Sequence, residues 1–132
     1  MLAIHVENLS DLAVVQCKGR IVHSDDVFKL RDGVQSQHAA RVIVLDLSEV
    51  EAMGGGAIGM LVFLEHWARE QDIQFKLFNL SQSVFEGLAQ TGSASRFEIT
   101  TFHEMMDLLT QSDYMGILTC SDQHDEHYSW AA

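Results

Sequence analysis

The sequence contains no proline and two cysteines, and it is short of bases: 8 Lys+Arg stand against 19 Asp+Glu, a formal net charge of −11. Cys17 and Cys120 are too far apart to make a disulfide framework or a zinc-ligand pattern. The shortage of Lys and Arg argues against nucleic acid, whose affinity comes mainly from bases neutralising phosphates. Anionic membrane surfaces are disfavoured for the same reason. Long hydrophobic runs are missing too, since the longest, Met60 to Leu64, is far too short to cross a bilayer. The chain does not open on a basic segment followed by an apolar stretch, so no signal peptide is expected. The expectation is a cytoplasmic protein without nucleic acid or membrane insertion. What is present is 47% apolar residues over 132 positions, enough for one domain around one core.

Charge is unevenly placed. Every Lys and Arg lies between Lys18 and Arg96, so the chain from Phe97 onward is acidic without compensation. Gly116 to Ala132 collects Ser, Asp, Gln and His with no apolar period, and residues 112–132 are predicted to be a flexible acidic tail after a domain spanning 1–111. Upstream, two periodicities alternate. Ile4 and Val6 against His5 and Glu7, a polar turn, then Val15, Cys17 and Ile21 against Gln16, Lys18 and Arg20 predict an N-terminal hairpin. Ser24 with Asp25 and Asp26 reads as a helix start, followed by the stripe Val27, Leu30 and Val34. Val42 to Leu45 has no alternation and suits a strand covered on both faces.

Beyond it, a helix is predicted from about Gly56 to Gln71 and a strand over Phe75–Phe78. Ser81 opens a helix carrying Val84, Phe85, Leu88 and Ala89, and a short strand follows over Phe97–Thr100. Thr101 and Glu104 form a capping box ahead of a helix bearing Phe102, Met105, Met106 and Leu109. The order β-β-α-β-α-β-α-β-α predicts an α/β sandwich: a mixed, mostly parallel sheet with an antiparallel hairpin at its start.

No residue pattern carries catalysis. Gly54, Gly56 and Gly59 formally satisfy the dinucleotide spacing G-x-G-x-x-G. However, Ser48 to Met53 separate them from the buried strand, and the chain has no room for the rest of a dinucleotide fold. The plain alternative is a glycine turn that lets a helix pack close to the sheet. His124 and His127 with Cys120, Asp122 and Asp125 offer metal-ligand types, but nothing in the sequence orders them tetrahedrally, so neither metal nor cofactor is expected. Asp46, at the end of the buried strand, reads as a turn cap. The helix from Ala57 to Trp67 is apolar around most of its circumference, which fits either deep burial or a hydrophobic docking face beside the glycines.

The run Val42 to Val50, then Met53-Gly-Gly-Gly-Ala-Ile-Gly59, a helix, and Phe75-Lys-Leu-Phe-Asn-Leu-Ser81 resembles the STAS domain family, as do Lys18-Gly-Arg-Ile21 and Leu88-Ala-Gln-Thr-Gly92. That family contains bacterial anti-sigma-factor antagonists and the cytoplasmic domains of sulphate transporters. The resemblance implies a mixed sheet with helices packed on it, and a non-enzymatic protein-interaction module. Antagonists of the family usually carry Asp-Ser-Ser-Gly or Asp-Thr-Ser-Gly after the buried strand, and a partner that is both anti-sigma factor and serine kinase phosphorylates the first hydroxyl. Laid on this chain, the Asp falls on Gly54, the phosphoacceptor on Gly55, the second hydroxyl on Gly56 and the glycine on Ala57. Glycine has no oxygen to phosphorylate. The Asp common in the loop after the second strand is replaced by Val22.

The resemblance therefore implies docking on an ATPase-fold anti-sigma/kinase partner through His23, Ser24, Asp25, Met53, Gly54, Gly55, Gly56, Ala57, Ile58, Gly59 and Met60, without this phosphoswitch. Alternatives are the STAS subunit of a lipid-transport ABC system, where an ABC transporter subunit is the partner, and a nucleotide- or phosphate-binding protein using Gly54–Gly59. A homodimer is compatible with any of these.

Overall fold

A computed structural model describes residues 1–92 and 94–110; the expected tail and the Cys120–His127 ligand types lie outside the described residues. The chain forms β1 (Leu2–Leu9), β2 (Leu12–Ile21), α1 (Ser24–Gln35), β3 (Val42–Met53), α2 (Gly55–Glu70), β4 (Gln74–Phe78), α3 (Gln82–Gln90), a 3₁₀ turn (Ala94–Arg96) and β5 (Glu98–Thr100), and residues 102–110 are helical and named α4. The five strands lie in sequence order, β1-β2-β3-β4-β5. Only β1 and β2 are antiparallel; β2 through β5 run parallel. This is the expected mixed α/β sheet.

Strand alternation divides the apolar residues between two layers. Val15 and Cys17 of β2, Ile43, Leu45 and Leu47 of β3, and Phe75 and Leu77 of β4 pack with Leu30 and Val34 of α1, Leu61 and Leu64 of α2, and Val84 and Leu88 of α3. The residues between them turn the other way. Leu12 and Val44 join Met105 of α4, with Val14, Val42, Phe78, Leu108 and Leu109 around them. The apolar run of β3 thus reflects burial on both faces, as its lack of alternation predicts.

Three local readings need correction. β3 runs twelve residues, through Met53, so Ser48–Met53 is strand and not a connecting loop. Its second half pairs with β2 across irregularities at Gln16/Lys18 and Gly19/Arg20, which absorb the out-of-phase polar residues Ser48 and Glu49. The cap of α1 is His23, not Ser24: His23 is still extended (φ −87, ψ 157) and helical geometry begins one residue later. Asp26 does the capping, accepting at Oδ2 from the His23 amide (3.4 Å) and at Oδ1 from the Leu2 amide (3.2 Å), which ties β1 to α1. Finally, Phe85 and Phe102, grouped with the apolar residues of their helices, do not share the burial of Leu88 and Met105 but are exposed. The capping box of Thr101 and Glu104 forms as expected, with both hydrogen bonds at 3.1 Å.

Gly19 is required by its surroundings. Its φ is +113, and a Cβ there would lie 2.3 Å from the Met1 carbonyl oxygen. Gly19→Ala should cost about 1–3 kcal/mol through left-handed strain and this clash, read as a lower unfolding midpoint in urea. An unchanged midpoint would contradict the β1–β2 geometry.

Candidate functional site

The parallel strands β2 and β3 end side by side, and each feeds a helix. The Gly54 amide donates to the Ile21 carbonyl at 3.0 Å, pinning the end of β3 to the end of β2. A Cβ on Gly54 would sit 3.8 Å from Val22, and one on Gly56 would sit 3.9 Å from the Val27 side chain. The first turns of α1 and α2 therefore abut, and the structure brings His23, Ser24 and Asp25 beside Gly54, Gly55 and Gly56. The C-terminal ends of parallel strands are where α/β folds commonly place binding loops.

Exposure sorts the predicted residues. His23, Ser24, Asp25, Gly55, Gly56 and Gly59 are exposed, and Met53, Gly54 and Met60 are half-buried. Ala57 and Ile58 are not on the surface, at 0% and 7% exposure: they face the core under α2, and Ile58 also lies against Gly87 of α3. Burial accounts for most of the apolar circumference of α2, since Leu61, Leu64 and Ala68 are also inside. Phe63 is the exception at 49% exposure, one helical turn from Gly59. Periodicity missed it because the helix is apolar nearly all round.

The glycines serve no backbone need. Gly54 opens α2 in extended geometry, Gly55, Gly56 and Gly59 lie within the helix, and none of the four has positive φ. A Cβ at Gly55 or Gly59 would meet nothing within 4 Å. The reading of a close-packing turn therefore fails at these two positions; what they produce is a bare strip of helix backbone. α2 also starts without a side-chain cap and without an acid in its first turn, whereas α1 carries Asp25 and Asp26. The dipole end of α2 is left uncompensated by local acids.

The dinucleotide reading changes in one respect. Because β3 continues to Met53, Gly54 does follow the strand directly. Its amide, however, is committed to Ile21. Asp46 Oδ1 accepts from the Ser48 amide at 2.9 Å, the turn-capping role expected of it, here within the strand. Cys17 is buried, and burial first, then the Asp46 charge, pushes its thiol up to about 12, so it is no nucleophile at neutral pH. No group of three or more potential metal ligands occurs among the described residues.

The STAS domain family model matches residues 3–107. The chain belongs to the STAS domain family. Among solved structures, it is similar to the anti-sigma factor antagonist SpoIIAA in its unphosphorylated form, with a TM-score of 0.67, 16% identity, and coverage of 81% of this chain and 96% of that one. An anti-sigma factor antagonist from Mycobacterium paratuberculosis gives a TM-score of 0.66 at 20% identity, covering 75% and 85%. The murine Solute Carrier 26 family member A9 anion transporter gives 0.66 at 15%, covering 80% of this chain and 18% of the transporter. Among curated protein sequences, none matches. At these identities the likeness establishes the STAS fold. No helix among the described residues is long and apolar enough to cross a membrane.

Gly59→Ala and Gly55→Ala should each stabilise the STAS domain by about 0.5–1 kcal/mol, because both remove helix-glycine entropy without a clash. Thermal unfolding should show each midpoint a few degrees higher. A lower midpoint would mean that these positions are not open.

Proposed function

We propose that the chain is a non-enzymatic STAS interaction module of the anti-sigma-factor-antagonist type. It docks on an ATPase-fold anti-sigma/kinase partner through the corner where α1 and α2 begin. The observation that supports this most directly is the exposed surface made by His23, Ser24, Asp25, Gly55, Gly56 and Gly59 on a fold whose neighbours include anti-sigma factor antagonists. Backbone without side chains lets a partner approach closely, and the uncapped start of α2 offers it amide donors.

The physical consequence concerns regulation. In antagonists with a serine at the position of Gly55, a phosphate adds nearly two negative charges on the docking surface. Here no hydroxyl stands there, so that charge cannot be added at this position. Phosphorylation at Gly55 is excluded by composition alone.

A transporter-associated role is the second reading, favoured by the likeness to part of an anion transporter. Affinity purification of the tagged full chain from its native cells, compared with Gly55→Asp, separates the two. The proposal expects an ATPase-fold regulatory protein with the wild-type chain, and its loss with Gly55→Asp, whose Cβ has room but whose carboxylate places fixed charge on the surface. Transporter ATPase or permease subunits in its place would support the second reading. An ATPase-fold partner retained equally by both chains would show that docking occurs elsewhere.

A further inference from the structure

β1 is one edge of the sheet, and it is long and regular: its eight residues, Leu2–Leu9, pair with β2 in an unbroken register. It contains no Pro, no Lys and no bulge against β2, devices that commonly stop an edge strand from pairing further. The other edge, β5, has three residues. In an antiparallel ladder, alternate residues turn their N–H and C=O groups toward the partner strand and away from it. The Met1 carbonyl accepts from the Arg20 amide across the ladder at 3.4 Å. By that alternation Ala3, His5, Glu7 and Leu9 bond β2, while Leu2, Ile4, Val6 and Asn8 turn outward. Leu2 agrees: its amide donates to Asp26 Oδ1 at 3.2 Å, and its carbonyl accepts from Lys29 Nζ at 2.8 Å, both side chains of α1. α1 thus closes the edge at Leu2. Among the described residues, nothing bonds the outward groups of Ile4, Val6 and Asn8.

We propose that the open part of this edge pairs antiparallel with β1 of a second copy of this chain, about a twofold axis at Val6 that joins the two sheets into one. The outward residues select the register. With the axis at Val6, Ile4 meets Asn8 of the second copy, Val6 meets Val6, and Asn8 meets Ile4, each pair exchanging two backbone hydrogen bonds. The side chains fit the same register. His5 and Glu7 stand on the solvent face, 67% and 63% exposed, with Nε2 and Oε1 3.4 Å apart. Pairing about Val6 sets each His5 directly opposite a Glu7 of the other copy, an imidazole donor against a carboxylate. On the opposite face it joins Ile4 and Val6 of both copies, side chains that pack on the core yet remain partly exposed. An axis at His5 sets imidazole against imidazole, an axis at Glu7 sets two carboxylates together, and both use fewer of the outward groups. An axis at Ile4 needs Leu2, which α1 occupies. A strand complementary to itself is what a twofold interface requires, and this selects a second copy over an unrelated strand. The antiparallel pairing carries the two α1/α2 corners to opposite ends of the joined sheet.

The test is sedimentation of the full chain over a concentration series, with amide hydrogen exchange followed by NMR at each concentration. A reversible monomer–dimer equilibrium is expected. The Ile4, Val6 and Asn8 amides should gain protection as the dimer fills, while those of His5 and Glu7, bonded within each copy, stay protected throughout. Val6→Pro removes an outward N–H that β2 does not use, and should weaken the dimer about tenfold or more. His5→Glu sets two carboxylates opposite each other and Glu7→Lys sets two bases opposite each other. Each should weaken the dimer about three- to tenfold. The double variant exchanges the two partners and should restore association, which it does only in the Val6 register. The charge variants carry the test should Val6→Pro fail to fold by circular dichroism. A monomer at every concentration, a dimer indifferent to all three single variants, or no recovery in the double variant would each overturn the proposal. Protection of Ile4, Val6 and Asn8 that ignores concentration would overturn it too, because the edge would then be covered within one chain.

Discussion

The structure depends on β3. It is the one strand that pairs with β2 along nearly its whole length and with β4 along its first half, and it is buried on both faces where it pairs with both. Ile43, Leu45 and Leu47 anchor the layer of α1–α3, while Val44 anchors the α4 side. Each such side chain contributes about 1.5–3 kcal/mol by burial. The far end of the same strand, held to Ile21 by the Gly54 amide, sets where α2 begins. The core and the candidate site are thus two ends of one element.

That arrangement separates the packed face of α2 from its exposed face. Ala57, Ile58, Leu61 and Leu64 hold α2 on the sheet, while Gly55, Gly56, Gly59 and Phe63 occupy its solvent face. Glycines in an exposed helix cost stability relative to alanine without any steric reason here.

Much of this was legible locally. The capping box at Thr101 and Glu104, the Ser81 cap and the buried run Ile43–Leu45 each follow from a few adjacent residues. The readings that failed depend on distant partners. Ser48 and Glu49 break the strand period, and a register shift against β2 lets the pairing resume at Glu49, opposite Lys18. Asp26 is an ordinary first-turn acid by sequence, and its bond to the Leu2 amide spans 24 positions. Phe102 fits an apolar stripe with Met105 and Leu109, yet β5 is the sheet edge and ends at Thr100, leaving Phe102 uncovered among the described residues. The site residues were placed by resemblance to the STAS family; the split between exposed glycines and buried Ala57 and Ile58 required the helix phase.

The central claim is that the α1/α2 corner is a docking face with no phosphoacceptor at position 55. Its most direct test is site-specific photo-crosslinking in native cells, with the reactive side chain placed at position 55, where a Cβ meets nothing. Position 89, exposed on α3, serves as the control. The account predicts a covalent adduct with an ATPase-fold regulatory protein from position 55 and none from position 89. The same adduct from position 89 alone, or no adduct from 55 in cells where that partner co-purifies, would contradict it.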